Sequence, residues 1–262
     1  MSAAAPAPAE GLAAMFSLEG RTALVTGART GLGRAAAAGL ARAGADVVLL
    51  GHGGDMSDAR ADVEAAGRRA WEEFVDLADP GRVAAAARDL LTRHRVDILV
   101  NNAGIIRRAP ASEHADEDFR AVLDVNLESL FALTREVGRP MLERGAGKVV
   151  NIASLLSFQG GINVVGYAAS KHAVVGVTKA LANEWAPHGV QVNALAPGYF
   201  ATANTAPLRA DPERSAAIEA RIPAGRWGRP EDLAAAVVFL AGPGSDYMAG
   251  HVLAVDGGWL AR

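Results

Sequence analysis

From Arg21 onward, short runs of β-branched and aliphatic residues alternate with longer alanine-rich segments whose apolar positions recur at helical spacing. Runs of the first kind suit strands buried on both faces, and segments of the second kind suit the helices that cover them. "TALVTG" predicts a strand and "GLGRAAAAGLARAG" the helix after it; "DVVLLG" and "MSDARADVEAAGRR" repeat the unit. Strand-like "AWEEFVDL", helical "RVAAAARDLLTRH" and strand-like "VDILVNNAG" follow. Later strands are predicted at "GKVVNIAS", "VQVNALAP" and "HVLAVDGG", with helices over residues 116–143, 167–186 and 230–240. Parallel strands need a crossover helix to return the chain, so the alternation predicts an α/β domain, a parallel sheet with helices on both faces. A closed barrel shares that alternation. No repeat or linker interrupts it, so one domain is expected over residues 16–262. The Ala/Pro-rich residues 1–15 offer too little apolar surface to offset their ordering entropy and are expected to form a disordered tail.

Composition narrows the function classes. A chain of 262 residues with 50% hydrophobic side chains can bury one large core. Its 26 basic and 29 acidic side chains leave a formal charge of -3, which provides no cationic field for nucleic acid or an anionic membrane. Cysteine is absent, which removes disulfides, thiolate nucleophiles and cysteine-bound zinc. The six histidines have no paired ligand spacing, so no metal is expected. The start has no basic residue before Arg21 and no signal-like apolar run, and no apolar stretch reaches membrane-spanning length. A soluble, cytoplasmic protein is expected.

"VTGARTGLGRA" puts Gly27, Gly31 and Gly33 where the first strand meets the first helix. Glycine there allows a tight turn and close approach to a pyrophosphate, which the free N–H groups of the helix start attract. The spacing GxxxGxG differs from the commoner GxGxxG. An acid that would accept from the ribose hydroxyls belongs at the end of the second strand, but that strand closes on Gly51 and His52. Asp46 opens the strand and Asp55 lies out in the loop, while Arg29 inside the turn is suited to a phosphate. The residues alone leave NAD and NADP both open.

Tyr167 and Lys171 in "GYAASKH" fall at i and i+4, on one helix face, where an ammonium can act on a phenol. Upstream stand Ser154 in "NIASLLSFQGG", after a strand, and Asn126 in "VLDVNLESLF". With "TGARTGLG", "NNAG" at residues 101–104, Asp76-Leu77 and "PGYFAT", these motifs run from Thr26 to Gly258. In that order they resemble the short-chain dehydrogenase/reductase family. The resemblance implies a single Rossmann-type, doubly wound parallel sheet and an oxidoreductase with Asn126, Ser154, Tyr167 and Lys171 as catalytic residues. Tyr167 is then the proton donor and acceptor, Ser154 a donor to the substrate oxygen, and Asn126 the holder of a water that links Lys171 to solvent. Bringing a phenol toward neutrality by about three units takes about 4 kcal/mol of phenolate stabilisation.

The same resemblance implies coenzyme contacts from Gly27, Arg29, Thr30, Gly31, Leu32, Gly33, Asp76, Leu77, Asn102, Ala103, Gly104, Tyr167, Lys171, Pro197, Gly198, Phe200 and Thr202. Asn101 is read instead as holding the central sheet. Finer stretches, among them "NNAGIIRR", "APGYFATANT" and "RIPAGRWGRPEDL", are similar to the sugar-acid branch of the family. That implies NAD as the usual coenzyme, a homotetramer with the apolar "HVLAVDGGWLAR" in an interface, and 2-keto-3-deoxy-gluconate as substrate at C5. Gluconate at C5, a 3-oxoacyl thioester and a non-enzymatic dinucleotide sensor are the alternatives. A sugar acid carries a carboxylate, for which Arg107 and Arg108 are the candidate partners; Ser154, Gln159 and Asn204 are the candidates for its oxygens. Residues 201–226 are polar and helix-like, a candidate lid.

Overall fold

Each strand-like run becomes a strand of one sheet in the computed structural model, which describes residues 11–262; residues 1–10 of the expected tail lie outside the described residues. The strands are β1 (Thr22–Thr26), β2 (Asp46–Gly51), β3 (Ala70–Phe74), β4 (Ile98–Asn101), β5 (Gly147–Ile152), β6 (Val190–Pro197) and β7 (Val252–Val255). Between them run α1 (Gly31–Arg42), α2 (Ser57–Ala65), α3 (Pro80–Arg93), α4 (Asp116–Leu123), α5 (Ser129–Arg144), α6 (Val165–Trp185), α7 (Ala206–Arg209), α8 (Pro212–Arg221) and α9 (Pro230–Ala241). Ahead of β1, Leu12–Met15 form a 3-10 turn, and Phe16 packs its ring 6.3 Å from that of Phe239.

The pairings are all parallel and the order is β3-β2-β1-β4-β5-β6-β7. Among the described residues β3 and β7 pair on one side only and not with each other, so the sheet is open and the barrel alternative falls. β1 bonds to β2 on one side and β4 on the other, so the winding direction reverses there and a crevice opens beyond the carboxyl ends of the strands. Leu40, Val63 and Val237 from α1, α2 and α9 pack on one face of the sheet. Leu90, Val137 and Leu181 from α3, α5 and α6 pack on the other. The alanine richness of α1 lets it lie close to α9: a Cβ on Gly39 would stand 2.9 Å from that of Ala234.

Two buried features bear on the site. The helix expected over residues 116–143 is broken by a π-helical turn, Asp124–Glu128, between α4 and α5, with the buried Asn126 inside it. Across the sheet centre, Asn101 Nδ2 donates to Thr134 Oγ1 and Asn151 Oδ1, both at 2.8 Å, and Asn151 Nδ2 donates to Thr178 Oγ1 at 2.9 Å. This ties β4 and β5 to α5 and α6, the sheet-holding role read for Asn101.

Candidate active site

The turn after β1 needs its glycines. Gly27 (φ 63) and Gly31 (φ 58) occupy the left-handed region, which other residues adopt only with strain. A Cβ on Gly27 would stand 3.0 Å from Ala103 Cα. The "NNAG" segment is sewn to this turn: Asn102 N and Ala103 N each donate to Thr26 Oγ1 at 2.9 Å. Asn102 Nδ2 donates to the carbonyls of Thr26 (3.0 Å) and Gly27 (3.2 Å). Gly33 does not line the crevice. Its α carbon faces the turn itself, where a Cβ would sit 2.2 Å from Gly27 O and 2.4 Å from Asn102 Nδ2, so its contribution is close helix–strand packing.

The crevice is a cleft of about 540 Å³. Gly27, Arg29, Thr30, Gly31 and Leu32 form one end, with Thr202 beside Gly31; Asp76, Leu77, Asn102, Ala103 and Gly104 form the wall, and Ser154, Tyr167, Lys171, Pro197, Gly198 and Phe200 the other end. α1 begins at this cleft with no side chain capping it, so its first N–H groups remain available to an anion. A turn that only glycine can make, next to an uncapped helix start and a long cleft, fits a dinucleotide. Gly51, His52 and Gly53 form the rim past β2, and Arg29 lies against it: a Cβ on Gly54 would be 3.4 Å from Arg29 Cδ. Neither nearby acid faces that rim as a free group. Asp46 holds Arg69 (2.7 Å) and Arg68 (3.2 Å) at the opposite end of β2, and Asp55 accepts from Ser57 N at 2.8 Å.

At the inner end, Ser154 follows β5 and caps a 3-10 turn, Leu155–Ser157, by accepting from Leu156 N at 3.1 Å. Tyr167 and Lys171 occupy successive turns at the start of α6, with the Lys171 ammonium 5.6 Å from the Tyr167 ring centre. Nζ donates to Ile152 O at 2.6 Å, so the ammonium is anchored on β5 and not on the phenol. Burial lowers Lys171 to about 8. Burial raises the Tyr167 phenol above its ordinary value, opposed by the Ser154 hydroxyl and the positive charge of Arg108. The protein's own groups thus favour the protonated phenol.

Asn126 lies behind the cleft with both amide hydrogens and its oxygen engaged. Oδ1 accepts from Ile105 N (2.8 Å), and Nδ2 donates to Ile105 O (3.0 Å) and Ser170 Oγ (3.1 Å). It clamps the chain after "NNAG" to α6, and a Cβ on Gly104 would be 3.2 Å from its Oδ1 and 3.8 Å from Lys171 Nζ.

The substrate candidates divide. Arg107 lines the cleft but pairs with Asp118 at 3.1 Å. Arg108 lies just outside the lining, where Nη2 donates to Asn204 O at 3.3 Å and its charge reaches the phenol. Asn204 lines the cleft with Ala203 and Thr205, whereas Gln159 does not reach it because the 3-10 turn after Ser154 carries the chain away. The expected lid is a flap: a 3-10 turn, Ala203–Thr205, then α7 and α8. The rim at residues 51–53, Ile105 and the position of Arg29 over Gly54 are absent from any local pattern, because they depend on which strands become neighbours.

A family model described as enoyl-(acyl carrier protein) reductase matches residues 27–260. The 2-dehydro-3-deoxy-D-gluconate 5-dehydrogenase of Bacillus subtilis (strain 168) is 54% identical over 247 residues, 94% of this chain and 97% of the relative. A solved structure from Beutenbergia cavernae, assigned as an NAD(P)-dependent gluconate 5-dehydrogenase with NADP bound at low occupancy, is 57% identical with a TM-score of 0.92, covering 95% of this chain and 100% of that one. One from Agrobacterium tumefaciens, assigned as a 2-deoxy-D-gluconate 3-dehydrogenase with bound NADP, is 55% identical with a TM-score of 0.90, covering 95% and 99%. Among the described residues, no helix is long and apolar enough to cross a membrane.

Proposed function

Since the chain belongs to the short-chain dehydrogenase/reductase family, we propose that it moves a hydride between NAD(P) and C5 of 2-dehydro-3-deoxy-D-gluconate, interconverting that sugar acid with its 2,5-diketo form. The observation that carries this reading is the convergence of Ser154, Tyr167 and Lys171 at the inner end of the dinucleotide cleft. It also speaks against a sensor without chemistry. Bound NAD(P)+ supplies the hydride acceptor and a positive charge. Tyr167 takes the hydroxyl proton in oxidation and returns it in reduction. Ser154, held in place by the bond it accepts from Leu156 N, donates its hydroxyl hydrogen to the substrate oxygen as charge develops there. Lys171 spends one N–H on Ile152 O and keeps two for coenzyme hydroxyls, while its charge favours the phenolate. Assembly as a homotetramer belongs to the same reading, on family resemblance.

Steady-state oxidation of 2-keto-3-deoxy-gluconate and of gluconate, each with NAD and NADP, tests it. The expected result is higher kcat/KM for the 3-deoxy acid. A preference for gluconate would move the enzyme to the second reading, which the Beutenbergia cavernae relative favours. Activity with 3-oxoacyl thioesters alone would overturn both.

For the coenzyme, the sugar-acid resemblance favours NAD, but the rim after β2 offers no carboxylate to the ribose and sets Arg29 beside Gly54. NADP is therefore the coenzyme we assign, in keeping with the NADP-bound relatives. Replacing Arg29 with Ala removes a charge-assisted contact of about 1.5 to 3 kcal/mol. KM for NADP should rise about tenfold or more while KM for NAD stays within about twofold. Equal changes for the two coenzymes would remove Arg29 from that role.

Of the two arginines, Arg108 is the better carboxylate partner, because Arg107 is already held by Asp118. Arg108→Ala should raise KM for the sugar acid about tenfold or more and leave an uncharged ketone or polyol substrate within about twofold. Equal losses on charged and neutral substrates would count against carboxylate recognition.

A further inference from the structure

The flap that brings Ala203, Asn204 and Thr205 to the cleft leaves and rejoins the body of the protein at one neck. Phe200 and Gly228 pair there as a parallel bridge; Gly228 N donates to Tyr199 O and Ala201 N to Gly228 O, both at 2.8 Å. Residues 256–262 grip that neck. The Asp256 carboxylate accepts from Gly258 N (2.8 Å) and Leu260 N (2.9 Å), which bends this segment back, and Gly257 O accepts from Ala224 N at 2.9 Å. The bend buries Trp259 with its ring 4.6 Å from that of Tyr199, and Tyr199 stands edge-on to Trp227 at 5.5 Å. Arg221, the last residue of α8, lays its guanidinium 4.0 Å over the Trp259 ring. Arg262 closes the clasp: Nη2 donates to Ala220 O at 2.6 Å and Nε to Arg221 O at 3.2 Å. These are carbonyls of the last turn of α8, which lack helical partners and carry the negative end of the helix dipole.

None of Tyr199, Trp259, Arg221 or Arg262 lines the cleft, so their effect on catalysis has to pass through the flap. We propose that Trp259 and Arg262 are positioning residues: clasping the return arm of the flap holds α8 in place, and through α7 this backs the turn that brings Asn204 and Thr205 to the cleft. The flap is fixed at its outgoing arm by Thr205 Oγ1 on Phe200 O (2.6 Å) and Arg209 on Thr202 O (3.1 Å). With the return arm released, α8 is held by the outgoing arm alone. The proposal rests on the cleft being the coenzyme and substrate site, and not on which substrate it takes.

The test compares the full chain with Arg262→Ala and Arg262→Lys. Arg209 and Arg214 are exposed on the flap, so native-state trypsin cleavage after them reports flap opening independently of chemistry. In Arg262→Ala, cleavage there should run about fivefold faster or more, with other sites unchanged and the thermal midpoint within about 2 °C of the parent. KM for the alcohol or ketone substrate should rise about fivefold with kcat within about twofold, for charged and neutral substrates alike. Arg262→Lys, which keeps one donor and the charge, should recover at least half of both effects. Unchanged flap cleavage in Arg262→Ala, or cleavage accelerated equally along the whole chain, overturns the proposal. If 2-dehydro-3-deoxy-D-gluconate proves not to be a substrate, the trypsin result still decides this inference while the sugar-acid reading fails separately.

Discussion

Replacing Tyr167 with Phe is expected to lower kcat about 10²- to 10⁴-fold, the range that a positioned proton-transfer group contributes. The ring stays, so its packing at the start of α6 stays, and only the hydroxyl is lost. Coenzyme affinity, measured by fluorescence titration of NADPH, should therefore remain within about twofold of the parent. The pH profile separates this from a general disturbance. Burial raises the phenol, and oxidation needs it deprotonated, so kcat/KM for oxidation should climb with pH until the phenol ionises. The residual activity of the Phe variant should lack that slope. A variant with near-parental turnover, or one that keeps the slope, would take Tyr167 out of the proton path and leave Lys171, lowered to about 8, as the group to examine.

Gly33→Ala is expected to damage both the fold and coenzyme binding. The new carbon would lie 2.2 Å from Gly27 O and 2.4 Å from Asn102 Nδ2, and the first of these neighbours is backbone. Relief means pushing α1 away from the turn, which also breaks the bonds from Asn102 Nδ2 to the carbonyls of Thr26 and Gly27. Overpacking of this kind costs about 3 kcal/mol or more, which for a chain of this size lowers Tm by about 6 to 12 °C. NADP affinity should fall at least about tenfold, because the phosphate cradle and the displaced turn are the same atoms. Calorimetric unfolding together with coenzyme titration checks both, and a parental Tm with parental affinity would mean that the turn and α1 can separate freely.

Much of this architecture is written locally. The alternation of runs predicts the strands and the main helices, since each element depends on its own period. Strand order is not legible in that way. It places β4 and not β3 beside β1, and so decides that Asn102 meets Gly27 and that the rim after β2 faces Arg29. Ser154, Tyr167 and Lys171 are found by spacing and resemblance, yet the anchoring of Lys171 on Ile152 O, and not on the phenol, follows from β5 passing beneath α6. Gln159 is near Ser154 in sequence but lies outside the cleft lining, with a 3-10 turn between them. The apolar stretch that holds Trp259 does not announce that the bend imposed by Asp256 packs this ring on Tyr199 of its own chain.

The buried amide and hydroxyl groups of Asn101, Thr134, Asn151 and Thr178 also constrain how this sequence can drift over generations. Each is a partner to another, so changing one strands a polar group in the core at about 1 to 3 kcal/mol, whereas exchanging a matched pair for apolar groups of similar shape can be nearly neutral. The four positions therefore form one heritable unit. Lineages that leave it have to pass through a less stable ancestor or change two sites together, and a designer who wants to replace Asn151 should begin by redesigning Asn101 and Thr178 with it.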